Sequence, residues 1–100
     1  MKWNVILNDN ADAQLSRIKK DKSKVKLLKS ISRTLLLMES NLRHPSLNTH
    51  IFHSLCGPDG EKVFESYVQQ NTPGAYRIFW YYGPNEKQIT ITAIIPHPNH

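Results

Sequence analysis

The sequence predicts an α+β domain: an N-terminal strand and a two-helix hairpin packed on an antiparallel sheet. Three observations carry this. Apolar residues recur at helical spacing up to about Leu42, the pattern then changes to strand-like alternation, and three Gly/Pro/Asn/Asp-rich turns cut the second half into hairpins. The 100 residues form one domain, 1–100, with neither internal repeat nor linker.

Trp3-Asn4-Val5-Ile6-Leu7 has strand character and runs into Asn8-Asp9-Asn10, which supplies an N-cap for a first helix. Ala11, Leu15 and Ile18 mark the buried side of that helix, which extends to about Lys20. Lys20-Asp21-Lys22-Ser23 reads as a tight connection with Ser23 as the second cap. Leu27, Leu28, Ile31, Leu35, Met38 and Leu42 then form the core-facing stripe of a longer amphipathic helix, ending near Ser40-Asn41. His44-Pro45 stops it, because proline lacks a backbone donor and restricts the residue before it.

Strands are expected at Thr49 to Leu55, Lys62 to Gln69, Ala75 to Tyr82 and Gln88 to Ile95. Their connections are Gly57-Pro58-Asp59-Gly60, Asn71-Thr72-Pro73-Gly74 and Gly83-Pro84-Asn85-Glu86, short enough to make adjacent antiparallel hairpins. Paired symmetrically about these turns, His53 faces Glu65, Ile51 faces Tyr67, and Tyr67 faces Arg77. Even-numbered Phe52, Phe64, Val68, Ile78, Trp80 and Ile94 then lie under the helices. The odd face gathers His53, Glu65, Tyr67 and Arg77, with His97 just beyond the last strand. Ile89, Ile91 and Ile95 also fall there, which signals either a register slip or an apolar groove.

The net charge is +5, and Arg17, Lys19, Lys20, Lys22, Lys24, Lys26, Lys29 and Arg33 cluster on the helices, offset there by Asp21 alone. Such a block is either a solvated surface or a footprint for phosphates, with Lys19, Lys20, Lys22, Lys26 and Lys29 as the RNA-contacting candidates. The longest apolar run, Leu35 to Met38, is too short to span a bilayer, so no membrane is expected. Met1-Lys2-Trp3-Asn4 opens no secretory signal, and Cys56 is a lone cysteine. Both fit a cytoplasmic protein. His44, His50 and His53 lack metal-ligand spacing, and neither a metal nor a cofactor is expected.

The polar face has the parts for phosphodiester chemistry. Arg77 can hold a phosphate and stabilise developing charge, Glu65 or His53 can act as base, and His97 as acid. Arg77 and Glu65 read equally well as a cross-strand ion pair, and Tyr67 as packing.

The run Ala75-Tyr76-Arg77-Ile78-Phe79-Trp80, a tight turn, and Ile89-Thr90-Ile91-Thr92-Ala93-Ile94-Ile95-Pro96-His97 resembles the RelE/ParE superfamily of bacterial type II toxins. The resemblance extends over nearly the whole chain. It implies the toxin of a toxin–antitoxin pair, with an antitoxin protein as partner. RelE-like members are ribosome-dependent, metal-free endonucleases of messenger RNA; ParE-like members share the fold and poison DNA gyrase instead. Arg77 matches the strand arginine that contacts the scissile phosphate in the nucleases, and His97 the basic residue or histidine ending the last strand. The paired lysines of RelE are replaced here by Glu65-Ser66-Tyr67-Val68-Gln69, and the nuclease's C-terminal tyrosine has no counterpart in Pro98-Asn99-His100. The resemblance thus leaves two activities open: a nuclease using Arg77, His97, Glu65 and His53, and a non-cleaving binding protein. An antitoxin is expected along the Ile89, Ile91 and Ile95 side and in the groove near the helices.

Overall fold

A computed structural model describes residues 2–70 and 72–97. Asn71, the first residue of the expected second turn, and the segment 98–100 lie outside the described residues, as does residue 1. The chain runs β1 (Asn4–Leu7), α1 (Asp9–Lys20), α2 (Val25–Ser40), β2 (His50–Cys56), β3 (Lys62–Tyr67), β4 (Tyr76–Tyr82) and β5 (Gln88–Pro96). Short 3₁₀ turns at Lys22–Lys24 and Pro45–Leu47 frame α2.

Local chemistry explains the helix limits. Asn8 caps α1 by accepting from the Ala11 amide at 2.9 Å. Asp9 and Asp12 in the first turn, and Arg17, Lys19 and Lys20 in the last, complement the helix dipole. The second cap differs from expectation. Asp21, not Ser23, caps the turn before α2: its carboxylate accepts from the Ser23 amide at 2.9 Å and the Ser23 hydroxyl at 2.6 Å. A carboxylate is the stronger acceptor, and it needs no donor rotamer to choose.

The leucine stripe packs as its spacing requires. Ile31, Met38 and Leu42 are buried in the main core with Ala11, Ile18, Leu47, Ile78, Trp80, Ile89, Ile91 and Ile94, and Leu27, Leu28 and Leu35 pack against them. This core lies between the helices and one sheet face. The sheet order is β1-β5-β4-β3-β2. Its meander is antiparallel, but β1 pairs parallel with β5, Asn4 opposite Gln88 and Leu7 opposite Ile91, so the sheet is mixed. A parallel partner needs a long crossover, and the helical hairpin and meander provide it.

The register departs from simple turn symmetry at two places. Between β4 and β5, Phe79 faces Ala93 but Trp80 faces Ile91, so one extra residue, Thr92, bulges out of β5. Its carbonyl accepts from Asn10 Nδ2 at 2.8 Å, which ties the bulge to the first turn of α1. Past the bulge the faces exchange. Ile89 and Ile91 therefore drop into the helix-side core at 0% exposure, while Ile95 stays on the other face.

Between β2 and β3, Cys56 faces Lys62 as turn symmetry requires, yet Ile51 faces Phe64 and His50 faces Glu65. The irregular stretch between Ile51 and Cys56 shifts the strand by several residues. His53 consequently does not face Glu65, and Ile51 does not face Tyr67. Phe52 moves from the expected helix side to the opposite face, where its ring meets Phe79 edge-on at 4.9 Å beside Val63 and Ala93. Tyr67 does face Arg77, as expected.

Candidate functional site

The sheet face away from the helices carries a small core of strand residues only, and the polar cluster stands beside it. Four strands converge there at one end of the sheet: β2 brings His50, β3 Glu65 and Tyr67, β4 Arg77, and the end of β5 His97. His97 is fixed by its amide, which donates to the Ala75 carbonyl at 2.8 Å.

Glu65 is the hub. Its side chain is 1% exposed, and its two oxygens meet different imidazoles: Oε1 lies 2.7 Å from His50 Nε2, and Oε2 lies 2.6 Å from His97 Nδ1. Arg77 Nε stands 3.6 Å from Oε2, close enough for an ion pair but too long for a hydrogen bond, so this buried N–H has no hydrogen-bond partner. The guanidinium is otherwise well held. Its Cζ sits 3.6 Å from the centre of the Tyr67 ring, and Nη1 donates to the Gln69 carbonyl at 2.8 Å and the Tyr76 carbonyl at 3.2 Å.

The two histidines are bound differently. His50 Nδ1 donates to the Asn48 carbonyl at 3.0 Å, so both of its ring nitrogens are engaged. A carbonyl can only accept, so Nδ1 carries a proton and the contact between Nε2 and Glu65 shares a second one. His97 uses Nδ1 on Glu65, while its Nε2 has no partner among the described residues. Both side chains are roughly half exposed around the buried carboxylate. A carboxylate that orients an imidazole through one nitrogen and leaves the other facing solvent is the arrangement of general acid–base catalysis.

Of the residues singled out by sequence, Glu65, Arg77 and His97 come together. His53 is exposed, lies in the irregular part of β2 and joins the cluster through no hydrogen bond among the described residues. Its place is taken by His50, which the unbroken register could not find. The signal for it was indirect: the polar-to-apolar alternation fails over His53-Ser54-Leu55-Cys56. Glu65 is also too enclosed to touch a substrate itself, so a direct base role does not fit its burial. No group of three or more His, Cys, Asp and Glu suited to a metal ion occurs among the described residues.

Lys19, Lys20, Lys22, Lys26 and Lys29 are all exposed, on the last turn of α1, the connecting turn and the first half of α2. Two further cations, Arg17 and Lys24, line a cavity of about 360 Å³ beside the last strand, to which Tyr76 and Pro96, the residue before His97, also contribute. Lys24 Nζ reaches the Tyr76 hydroxyl at 3.3 Å. Asp21, on the same rim, is held below its ordinary carboxylate value, first by the Ser23 hydroxyl, then by the Ser23 amide and Lys24. No helix among the described residues is long and apolar enough to cross a membrane.

An exposed basic hairpin and a carboxylate–histidine–arginine cluster thus sit on a two-helix, five-strand α+β fold. Comparison with solved structures specifies it. The YoeB/ParE toxin from Agrobacterium tumefaciens superimposes with a TM-score of 0.68 over 95% of this chain and 99% of its own, at 4% identity. A chain of the archaeal RelE–RelB complex from Pyrococcus horikoshii gives 0.66, covering 100% of both at 13% identity. The YoeB dimer from Staphylococcus aureus gives 0.63 over 98% of this chain and 100% of that one, also at 13% identity. The chain thus has the RelE/ParE toxin fold, over nearly its whole length, as the resemblance in sequence implied. By sequence, no family profile and no curated protein matches it.

Proposed function

We propose that this protein is the toxin of a type II toxin–antitoxin pair and that it cleaves messenger RNA on the ribosome without a metal. The observation that carries this reading is His97, held by Nδ1 on the buried Glu65 carboxylate with Nε2 left to meet a substrate. In its imidazolium form, oriented by Glu65, His97 gives the Nε2 proton to the leaving 5′-oxygen. The ribose 2′-hydroxyl gives its proton to solvent as that oxygen attacks phosphorus. The oxygen–phosphorus bond formed and the bond broken to the 5′-oxygen leave a 2′,3′-cyclic phosphate. Positive charge from Arg77 stabilises the phosphorane. The exposed lysines contact RNA backbone, a salt-sensitive term without sequence preference.

Two of the compared structures are complexes named RelE–RelB and YoeB–YefM toxin–antitoxin, which supports an antitoxin as the partner of this chain too. Its contact surface is not Ile89 and Ile91, since both are buried in the core.

A second reading, a non-cleaving toxin directed at DNA gyrase or a silent member, is favoured by one observation. Arg77 is 7% exposed and spends its Nη1 on two carbonyls, as a structural arginine does. Induced expression of wild type, His97→Ala and Arg77→Ala, with growth followed and messenger RNA ends mapped, separates the two. New cuts on translated messages that His97→Ala abolishes support the nuclease. Growth arrest without cuts moves the assignment to gyrase, and no arrest to a silent member.

A further inference from the structure

A second cavity lies on the helix side of the sheet, and no step of the proposed cleavage uses it. It measures about 360 Å³ and is walled by Phe64, Trp80 and Tyr82 on the sheet side and by Arg43 and His44 on the other. An adjoining hollow of about 420 Å³ shares Arg43 and Tyr82 and adds Trp3. From the residues upward, we propose that this aromatic cleft binds one nucleotide, its base against Tyr82 and its phosphate on Arg43.

The wall is a ladder of π faces. Phe64 and Trp80 stack at 4.9 Å with planes 27° apart, Tyr82 meets Trp80 edge-on at 5.0 Å, and Trp3 lies 5.4 Å from Tyr82. The inner members are fixed: Trp80 is 1% exposed, and its indole N–H donates to the Ser66 hydroxyl at 2.8 Å. Tyr82, by contrast, is 45% exposed, an open aromatic face on a rigid base. Exposed rings of this kind are stacking platforms for bases, because every base has a π face to offer.

The rim supplies the charge. Arg43 is exposed and forms no salt bridge among the described residues, and no Asp or Glu lines either hollow. Lys87 adds a further cation 4.9 Å from the centre of the Trp3 ring. His44 contributes a directed donor. Its Nδ1 accepts from the Ser46 amide at 3.1 Å, so the ring proton resides on Nε2. Asn48 Nδ2 is occupied by Gln70 at 3.0 Å, which leaves its Oδ1 as an acceptor on the same rim. An unpaired guanidinium, one donor, one acceptor and an open ring match the parts of a nucleotide: phosphate, two base-edge groups and a base. A plain apolar peptide groove requires none of the polar parts.

The cleft is joined to the polar cluster by sequence. Asn48 and Thr49 line it, and the next residue, His50, bonds Glu65. Occupancy is independent of cleavage and holds for a protein that cuts no RNA.

Both tryptophans of the chain border the hollows, so intrinsic fluorescence reads occupancy directly. Full-length protein is titrated with each of the four ribonucleoside monophosphates, with a single-stranded hexaribonucleotide and with inorganic phosphate. Saturable quenching by a monophosphate is expected, weakened at least tenfold by Arg43→Ala and by Tyr82→Leu and unchanged by Arg33→Ala, which removes the same charge on α2, away from the cleft. Circular dichroism of each variant shows that it is folded. Quenching by the hexamer alone, lost in Arg43→Ala, makes the nucleotide part of a strand and also supports the site. Equal quenching in wild type and Arg43→Ala overturns it, as does competition by inorganic phosphate alone at the same concentration. Quenching by an acidic, leucine-rich peptide and by no nucleotide also overturns it, and assigns the cleft to a protein partner.

Discussion

Replacing Glu65 with alanine tests whether the polar cluster is one buried unit. The substitution removes a carboxylate that is 1% exposed and leaves the Arg77 guanidinium, 9% exposed by side chain, without its counter-charge. Breaking one side of a buried pair costs about 3–5 kcal/mol, because the partner stays charged and desolvated. The 3.6 Å separation lacks a hydrogen bond and puts this pair at the lower end, about 3 kcal/mol. The two imidazoles, 47% and 41% exposed, recover water when the carboxylate goes, so each adds only about 0.5 kcal/mol after screening. The total is about 4 kcal/mol, a large share of the roughly 5–15 kcal/mol that holds a domain together. For a chain of this size it lowers the melting temperature by about 15 °C or more. Urea unfolding of wild type, Glu65→Ala, Arg77→Met and the double variant measures it. The double variant is expected to be more stable than the sum of the single losses implies, since removing both charges leaves no buried ion. A loss under about 1 kcal/mol in Glu65→Ala, with no coupling to Arg77→Met, would refute the account.

Glu65→Gln keeps the shape but removes the Arg77 counter-charge, so it loses about 3 kcal/mol, and the proposed cleavage falls by about 100-fold or more, measured by RNA cleavage on translating ribosomes. Protein dialysed against EDTA before it is added to translating ribosomes is expected to cleave undiminished, since no metal of its own takes part. Gly57→Ala places a Cβ 2.3 Å from Glu61 Oε1 and 3.0 Å from Glu61 Cβ, and a loss of about 1–2 kcal/mol in urea is expected. Asp21 titrates lower in the folded state than its ordinary 3.8, so its stabilising contribution is present above that pH and is lost as the pH falls through the folded value. The stability difference between wild type and Asp21→Ala, followed by thermal unfolding against pH, should therefore shrink in acid.

Much of this protein is written locally. Helix α1 follows from the Asn8 cap and the Ala11, Leu15, Ile18 spacing, and α2 from its leucine stripe and the stop at His44-Pro45. The meander follows from its turns, because short Gly- and Pro-rich connections leave neighbouring strands no other partner. The pairing of Tyr67 with Arg77, and the company of Glu65 and His97, were legible for the same reason. What the tertiary structure alone decided is which way strands face after an irregularity. The extra residue at Thr92 turned Ile89 and Ile91 inward, and the break between Ile51 and Cys56 exchanged His53 for His50 beside Glu65. Sequence hinted that something slips, through the misplaced isoleucines and the failed alternation over His53-Ser54-Leu55-Cys56, but did not locate the extra residue. Side-chain direction has a period of two residues, so a single unpaired residue reverses every assignment beyond it, and the residue that yields is chosen by the whole core. The parallel seat of β1 beside β5 was likewise hidden, because it depends on contacts between the two ends of the chain.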